Sequence, residues 1–289
     1  MDTYFARHTE GFDVDDRTRE AIWKSRRIAI QFPRDKNGDL PESDNSSLNP
    51  KDYSGYDRRV LEAFKELSTK GGYVRAQYHG KPGFLAGWIK PDSAIRIVKG
   101  RWGNREGLQG RVAKLKTLHL DKVRHITAVE ALRLVACQPR QGTFMKWRIV
   151  GQAIERIVEG RARGASLESL LPGGPETMCS EFLRVRHTGL PQLAHLVMPV
   201  GRTMKDVDIY GLATDGNRIL APVTFYELGR AREKLEKLLN YKKKDCHLVL
   251  FCQTEQITIK DGVKVFPLSR AFDEFARTES GKRWLKYAT

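Results

Sequence analysis

Residues 206–225 leave the backbone little choice. They read as two extended runs around a tight turn. The first run passes through Val207, Ile209 and Tyr210, the turn holds Asp215, Gly216 and Asn217, and the second run carries Ile219, Leu220, Val223 and Phe225. Aspartate is a poor strand former, so Asp206 and Asp208 in the first run call for a reason other than strand propensity. Side chains alternate along a strand with period two, which places both carboxylates on one face.

The rest of the chain supplies the setting for that hairpin. At 289 residues there is material for two ordinary domains, each burying its own core. They are expected at 1–150 and 160–289, with the boundary in the interval 145–165. The net charge of +16 comes from basic residues spread along the whole sequence, a field that suits a polyanion, nucleic acid being the commonest. No apolar run reaches the roughly 20 residues that cross a bilayer, and the first ten residues lack a secretory apolar core, so a cytoplasmic protein without a membrane partner is expected. Cys137, Cys179, Cys246 and Cys252 are far apart in apolar contexts and form no Cys-x-x-Cys pair, the pattern of reduced core residues.

The polar, acidic residues 1–20 are expected to form an arm outside the core, followed by a strand over 23–32 and a long polar loop over 33–51. Val60, Leu61, Phe64 and Leu67 carry helical spacing that Gly71 and Gly72 stop. Residues 73–78 and 84–89 pair as a hairpin, and with 94–98 and 115–120 they are expected to close a small barrel. Helices follow over 127–135 and 146–159. In the second half the order is a helix from 176, strand 193–200, the hairpin, helix 227–240, strands 247–252 and 263–266, and a helix over 268–286. A mixed sheet flanked by helices is the expected result, making the whole chain α+β or α/β.

Glu181 lies in the helix upstream of the hairpin. A helix acid and a strand acid that converge can hold Mg²⁺, which takes a few carboxylates with waters and phosphate oxygens. In this order of elements the second half resembles the restriction-endonuclease-like fold, the PD-(D/E)XK nucleases. The resemblance covers 165–285 and puts the helix acid at Glu181 and the metal-binding acid at Asp208, with Pro222 and Thr224 at the positions of the (E/Q)-x-K signature. Glu181 and Asp208 would then be the metal ligands, and Glu181, Asp208 and Thr224 the catalytic set, Thr224 orienting a water. Pro222 offers a metal no acceptor and Thr224 lacks the ammonium group, which Lys205, Arg202 or Arg230 would replace, with Glu227 as a further acid. Arg230, Arg232, Lys234 and Lys237 read as ordinary helix-surface charges among Glu233 and Glu236. Lys205 and Lys242, Lys243 and Lys244 are expected phosphate contacts.

Trp23, Phe32, Tyr53, Tyr56, Tyr73, Tyr78, Trp88 and Trp102 concentrate in the first half, where rings can sandwich a base turned out of a duplex. The run from Ile28 to Ile30, the helix, and the two strands about His79 and Gly83 resemble EVE and PUA-like domains, which bind modified bases. Tyr53, Tyr56, Arg101, Trp102 and Asn104 are the expected nucleobase contacts. Neither a zinc-protease His-Glu-x-x-His nor a P-loop occurs. Together the resemblances imply a homodimeric, Mg²⁺-dependent, modification-dependent DNA endonuclease of the restriction, antiviral-defence kind. The alternatives are an inactive nuclease-fold binding module and an RNA-binding or RNA-processing protein.

Overall fold

The computed structural model describes residues 1–288 apart from 10, 33–45, 105–108, 140, 151, 162–163, 186–188 and 200–205. Contacts divide the chain into two compact α+β units, Met1–Arg163 and Gly164–Thr289.

The first unit contains strands β1 (Thr3–His8), β2 (Arg27–Ile30), β3 (Gly72–Tyr78), β4 (Phe84–Ile89), β5 (Arg96–Arg101), β6 (Val112–His119), β7 (Asp121–Ile126) and β8 (Phe144–Lys146). They make two sheets, β7-β4-β3-β1-β8 and β2-β6-β5. These sheets replace the expected barrel. The reason is β1, which inserts parallel to β3 and antiparallel to β8 and so belongs to the core instead of an outer arm. Tyr4, Phe5 and Ala6 are at most 1% exposed. Because both faces of β1 are covered, its sequence shows no alternation of polar and apolar residues, the usual mark of a strand.

Helix α1 (Asp16–Lys24) follows Asp13, Asp15 and Asp16, where a helical start is expected, and runs on through Trp23 and Lys24, expected as strand; Asp15 caps it by accepting the Thr18 N–H, and Arg26, at φ 53°, turns the chain into β2. Helix α2 (Gly55–Lys70) buries Val60, Leu61, Phe64 and Leu67 as its spacing requires and stops at Gly71, φ 70°. A Cβ at Gly71 would lie 2.8 Å from the Ile89 carbonyl oxygen and the Pro91 ring, so glycine is needed there. Helices α3 (Ala128–Ala136) and α4 (Ala153–Glu159) complete the unit.

In the second unit α5 (Gly174–Arg184), β9 (Leu193–Pro199), β10 (Ile209–Ala213), β11 (Arg218–Ala221), β12 (Val223–Glu227), α6 (Arg232–Leu239), β13 (Cys246–Gln253), β14 (Thr258–Lys260), β15 (Val263–Pro267), α7 (Leu268–Arg277) and α8 (Glu279–Ala288) follow in turn. The sheet order is β14-β15-β13-β11-β10-β9, with β12 continuing beside β13. β9, β10 and β11 form an antiparallel meander, and β11, β13 and β15 run parallel. One face packs on α5, α7 and α8 through Phe182, Phe251, Phe266 and Phe272. The other packs on α6 through Leu220, Leu235, Leu238 and Leu250. The last helix, expected as one piece, breaks at Thr278, whose Oγ1 donates to the Phe275 carbonyl and accepts the Gly281 N–H.

Candidate active site

Pro222 divides one long strand into β11 and β12. β10 pairs with β11 as far as Ala221, whose carbonyl accepts the Asp208 N–H at 3.2 Å. Proline has no N–H to continue the ladder, and the next donor, Val223 N–H, turns to the Asp208 carboxylate at 2.7 Å. The break therefore supplies the donor that fixes this acid. Asp208 itself stands one residue ahead of β10, not within the strand, and its side chain is only 9% exposed.

Glu176, not Glu181, is the helix acid beside Asp208. Gly173 (φ 85°) and Pro175 open α5 and place Glu176 in its first turn. Its Oε2 is buried with no hydrogen-bond partner. Burial pushes the Glu176 carboxyl up, a hydrogen bond to its own backbone opposes that, the negative charge of Asp208 adds to the rise, and Lys234 works against it. The buried Cys179 thiol, one turn along α5, is raised first by burial and then by the charges of the same two acids. Five residues on a helix turn through about 140° beyond a full circle, so Glu181 points elsewhere. It is tied to Arg184 at 3.1 Å, a contact between half-exposed side chains of one helix.

The cation of the site comes from α6. Lys234 Nζ lies 3.6 Å from Asp208 Oδ2 and donates to the Val223 carbonyl at 3.2 Å. Lys234 is therefore not a surface charge of the ordinary kind: it is the cation that the structure places beside Asp208. Asp206 pairs one turn farther along α6 with Lys237, at 3.4 Å. Two carboxylates, a carbonyl oxygen and an ammonium thus meet at the ends of α5, β10 and β11.

Among the described residues no three His, Cys, Asp or Glu side chains group closely enough to hold a metal ion. A Mg²⁺ site needs fewer, since one or two carboxylates with waters and substrate phosphates commonly suffice. The unpartnered Glu176 oxygen is a donor of the right hardness, and both Asp208 side-chain contacts fall on Oδ2. On those two observations the residues present fit Mg²⁺.

Thr224 is buried, and its Oγ1 accepts the Tyr226 N–H at 3.3 Å, so it shapes β12. Glu227 is exposed farther along β12. Lys242, Lys243 and Lys244 lie near Asp245, which pairs with Arg218 at the opposite end of β11 from Asp208, so the structure does not bring them to the acids. Lys242 donates to the Asp261 carbonyl at 2.7 Å. Lys205 and Arg202 lie outside the described residues. At that same far end His247 Nε2 meets Asp215 Oδ2 at 2.7 Å, bracing the hairpin turn.

In the first unit the expected base contacts separate. Tyr53 is a core residue, 3% exposed, packed 4.9 Å from Phe32 with its hydroxyl donating to the Ser47 carbonyl. Tyr56 is exposed, and its hydroxyl accepts the Thr143 N–H. Arg101 donates to the carbonyl of Gly110, a residue of the cleft described next, but does not itself line that cleft. Only Trp102 and Asn104 share a cleft, of about 700 Å³, with Asp13, Asp16, Arg19 and His79, and Trp102 is itself 3% exposed.

All four cysteines are free. No described helix is long and apolar enough to cross a membrane. No protein-family model, curated protein or solved structure matches the chain.

Proposed function

We propose that the 164–289 unit is a Mg²⁺-dependent phosphodiesterase acting on nucleic acid, with Glu176 and Asp208 holding the ion. The observation that carries this is the Glu176 carboxylate oxygen, buried and unpartnered beside a second acid. A buried carboxylate oxygen left without a partner destabilises a fold, and a cation relieves that cost. When bound, Mg²⁺ supplies a Lewis acid for the phosphate and lowers the pKa of a water.

Val223 N–H holds the Asp208 carboxylate in place. Lys234 supplies positive charge where phosphate oxygens gain negative charge, the task that Thr224 cannot perform. The net charge of +16 favours a polyanionic substrate. With the cleft of Trp102 and Asn104 reading a base, the chain would act as a modification-dependent DNA endonuclease of the restriction kind, and cutting both strands would take two copies.

The test is incubation with plasmid, base-modified phage DNA and RNA, in Mg²⁺ and in chelator, with Asp208→Asn beside the wild type. Mg²⁺-dependent cleavage of modified DNA that Asp208→Asn abolishes is the expected result. Binding without cleavage by the wild type would instead make this an inactive nuclease-fold binding module, and selective cleavage of RNA would move it to RNA processing.

A further inference from the structure

β12 leaves the regular ladder directly after the acid site. Val223 stands opposite Phe251 and Glu227 opposite Gln253, so four steps along β12 run against two along β13. The surplus has to bulge outward. Thr224 closes the bulge from inside by accepting the Tyr226 N–H. Phe225 and Tyr226 are left at its crest, 51% and 58% exposed, whereas Phe182, Phe251, Phe266, Phe272 and Phe275 of the same unit are buried. Neither crest ring of the bulge has a ring or cation partner among the described residues.

Its place gives it a use. Phe225 is two residues beyond Val223, whose N–H holds Asp208, at most about 7 Å on even if the chain were fully extended and so within reach of the nucleotide next to a bound phosphate. The turn after β12 adds exposed Arg230, and α6 begins with Arg232. Arg232 is held by Glu236 at 3.0 Å and the exposed acid Glu227 follows the rings, so Arg230 is the cation nearest in sequence to them. Two adjacent exposed rings with a cation nearby, beside a phosphate site, suit base stacking. An intact duplex has no free base face to offer such rings, because each base is already stacked on both sides.

We propose that Phe225 and Tyr226 stack on an unpaired base beside the scissile phosphate, so that the substrate is single-stranded nucleic acid, or a duplex opened at the cut. This rests on the phosphodiesterase reading and adds the class of substrate. A protein partner would meet the same two rings, and the test separates it.

Fluorescence anisotropy with a labelled single-stranded DNA oligonucleotide and the matching duplex, both in chelator so that no bond is cut, reads the platform apart from catalysis. Phe225→Ala and Tyr226→Ala each weaken single-strand binding on the order of tenfold and leave duplex binding unchanged. Tyr226→Phe keeps the affinity, whereas Phe225→Leu, apolar but not planar, loses it as alanine does. Both side chains are exposed, so unfolding curves stay where they are. Equal binding by all variants overturns the proposal, as does a leucine that serves as well as phenylalanine. So does a change of oligomeric state in the alanine variants with DNA binding intact, which assigns the rings to a protein interface. A wild type that shows the ring dependence yet cuts nothing in Mg²⁺ removes the phosphodiesterase and keeps the platform. A wild type that cuts while the ring variants cut single strands as fast removes the platform alone.

Discussion

Replacing Glu176 and Glu181 separately by glutamine should produce opposite patterns. Glu181 is part of a half-exposed pair three residues apart on one helix, and such pairs contribute roughly 0.3–0.5 kcal/mol. Glu181→Gln should therefore leave stability, Mg²⁺ affinity and cleavage close to wild type. Glu176 is held with one oxygen buried and unpartnered and with Asp208 opposing its charge. A buried polar atom left unsatisfied costs about 1–3 kcal/mol. Glutamine keeps the shape and part of that cost but removes the charge, so a gain of about 1 kcal/mol, or about 4 °C in the melting of this unit, is expected at pH 8. The sign follows from linkage. A carboxyl raised by folding binds its proton more tightly in the native state, so wild-type stability falls as pH rises from the unfolded value of about 4.3 through the folded one. Glu176→Gln lacks that limb, and the two stability curves should separate over that interval and stay apart above it. The same substitution should weaken Mg²⁺ binding in calorimetric titration and lower the cleavage rate about a hundredfold or more. A more stable protein that has lost its metal is the pattern of a functional acid, and urea unfolding at several pH values beside a cleavage assay reads both halves. If Glu181→Gln abolishes cleavage while Glu176→Gln cuts normally, the assignment of the helix acid is wrong.

Other residues give sharp expectations. Lys234→Ala leaves Asp208, 9% exposed, with only the Val223 N–H, and should cost about 1–3 kcal/mol in urea unfolding, less than for a fully buried pair. The same variant should bind Mg²⁺ more tightly in titration yet cut more slowly, because it removes a competing cation along with the charge that meets the phosphate. Tyr53→Ala should lower the stability of the first unit by about 3–5 kcal/mol, whereas Tyr56→Phe, which keeps the ring and loses one acceptor, should stay within about 1.5 kcal/mol; chemical denaturation measures both. Burial lowers the His8 imidazole from 6.5 to about 4, with the Ala29 and Gln77 backbone opposing. A base depressed by folding takes up its proton first in the unfolded chain, so the first unit should lose on the order of 3 kcal/mol as pH falls from 6.5 to 4, a limb that His8→Gln should remove from the pH-dependent unfolding curve.

The parts of the fold that a single periodicity dictates were legible in the residues. The stripe of Val60, Leu61, Phe64 and Leu67 became α2, and the alternating runs about Gly216 became β10 and β11. β1 was hidden because a strand buried on both faces has no polar phase, and Arg7 and His8 made it read as surface. The barrel expectation failed with it, since the strand that completes the five-stranded sheet was assigned to an arm. The short β7 and β14 were also missed, their exposed, charged residues reading as loop.

Glu176 and Lys234, which the structure brings to Asp208, went unselected in the sequence for one reason, and the signal that marks them is there. Glu176 stands three and seven residues before Cys179 and Leu183, both fully buried, and so lies on the stripe that α5 turns to the sheet. Lys234 stands three residues after Ala231 and four before Leu238, also fully buried, on the corresponding stripe of α6. A charge at a stripe position costs desolvation that a charge on the outer face does not, and an opposite charge across the sheet end offsets it. Glu181, chosen for its place in a motif, sits off the stripe and pairs with its own helix. Pro222 completes the reasoning. As a member of a metal-binding signature it looks like a defect, but by ending the β10 ladder it releases the N–H that Asp208 takes and starts the irregular stretch that exposes Phe225 and Tyr226. If the break itself builds the site, Pro222→Ala should leave most of the stability in place, because the residue is already outside the ladder. The same change should slow cleavage by letting β12 continue in register and draw Val223 N–H away from Asp208. An alanine variant with unaltered cleavage would show that Asp208 is held well enough without the break.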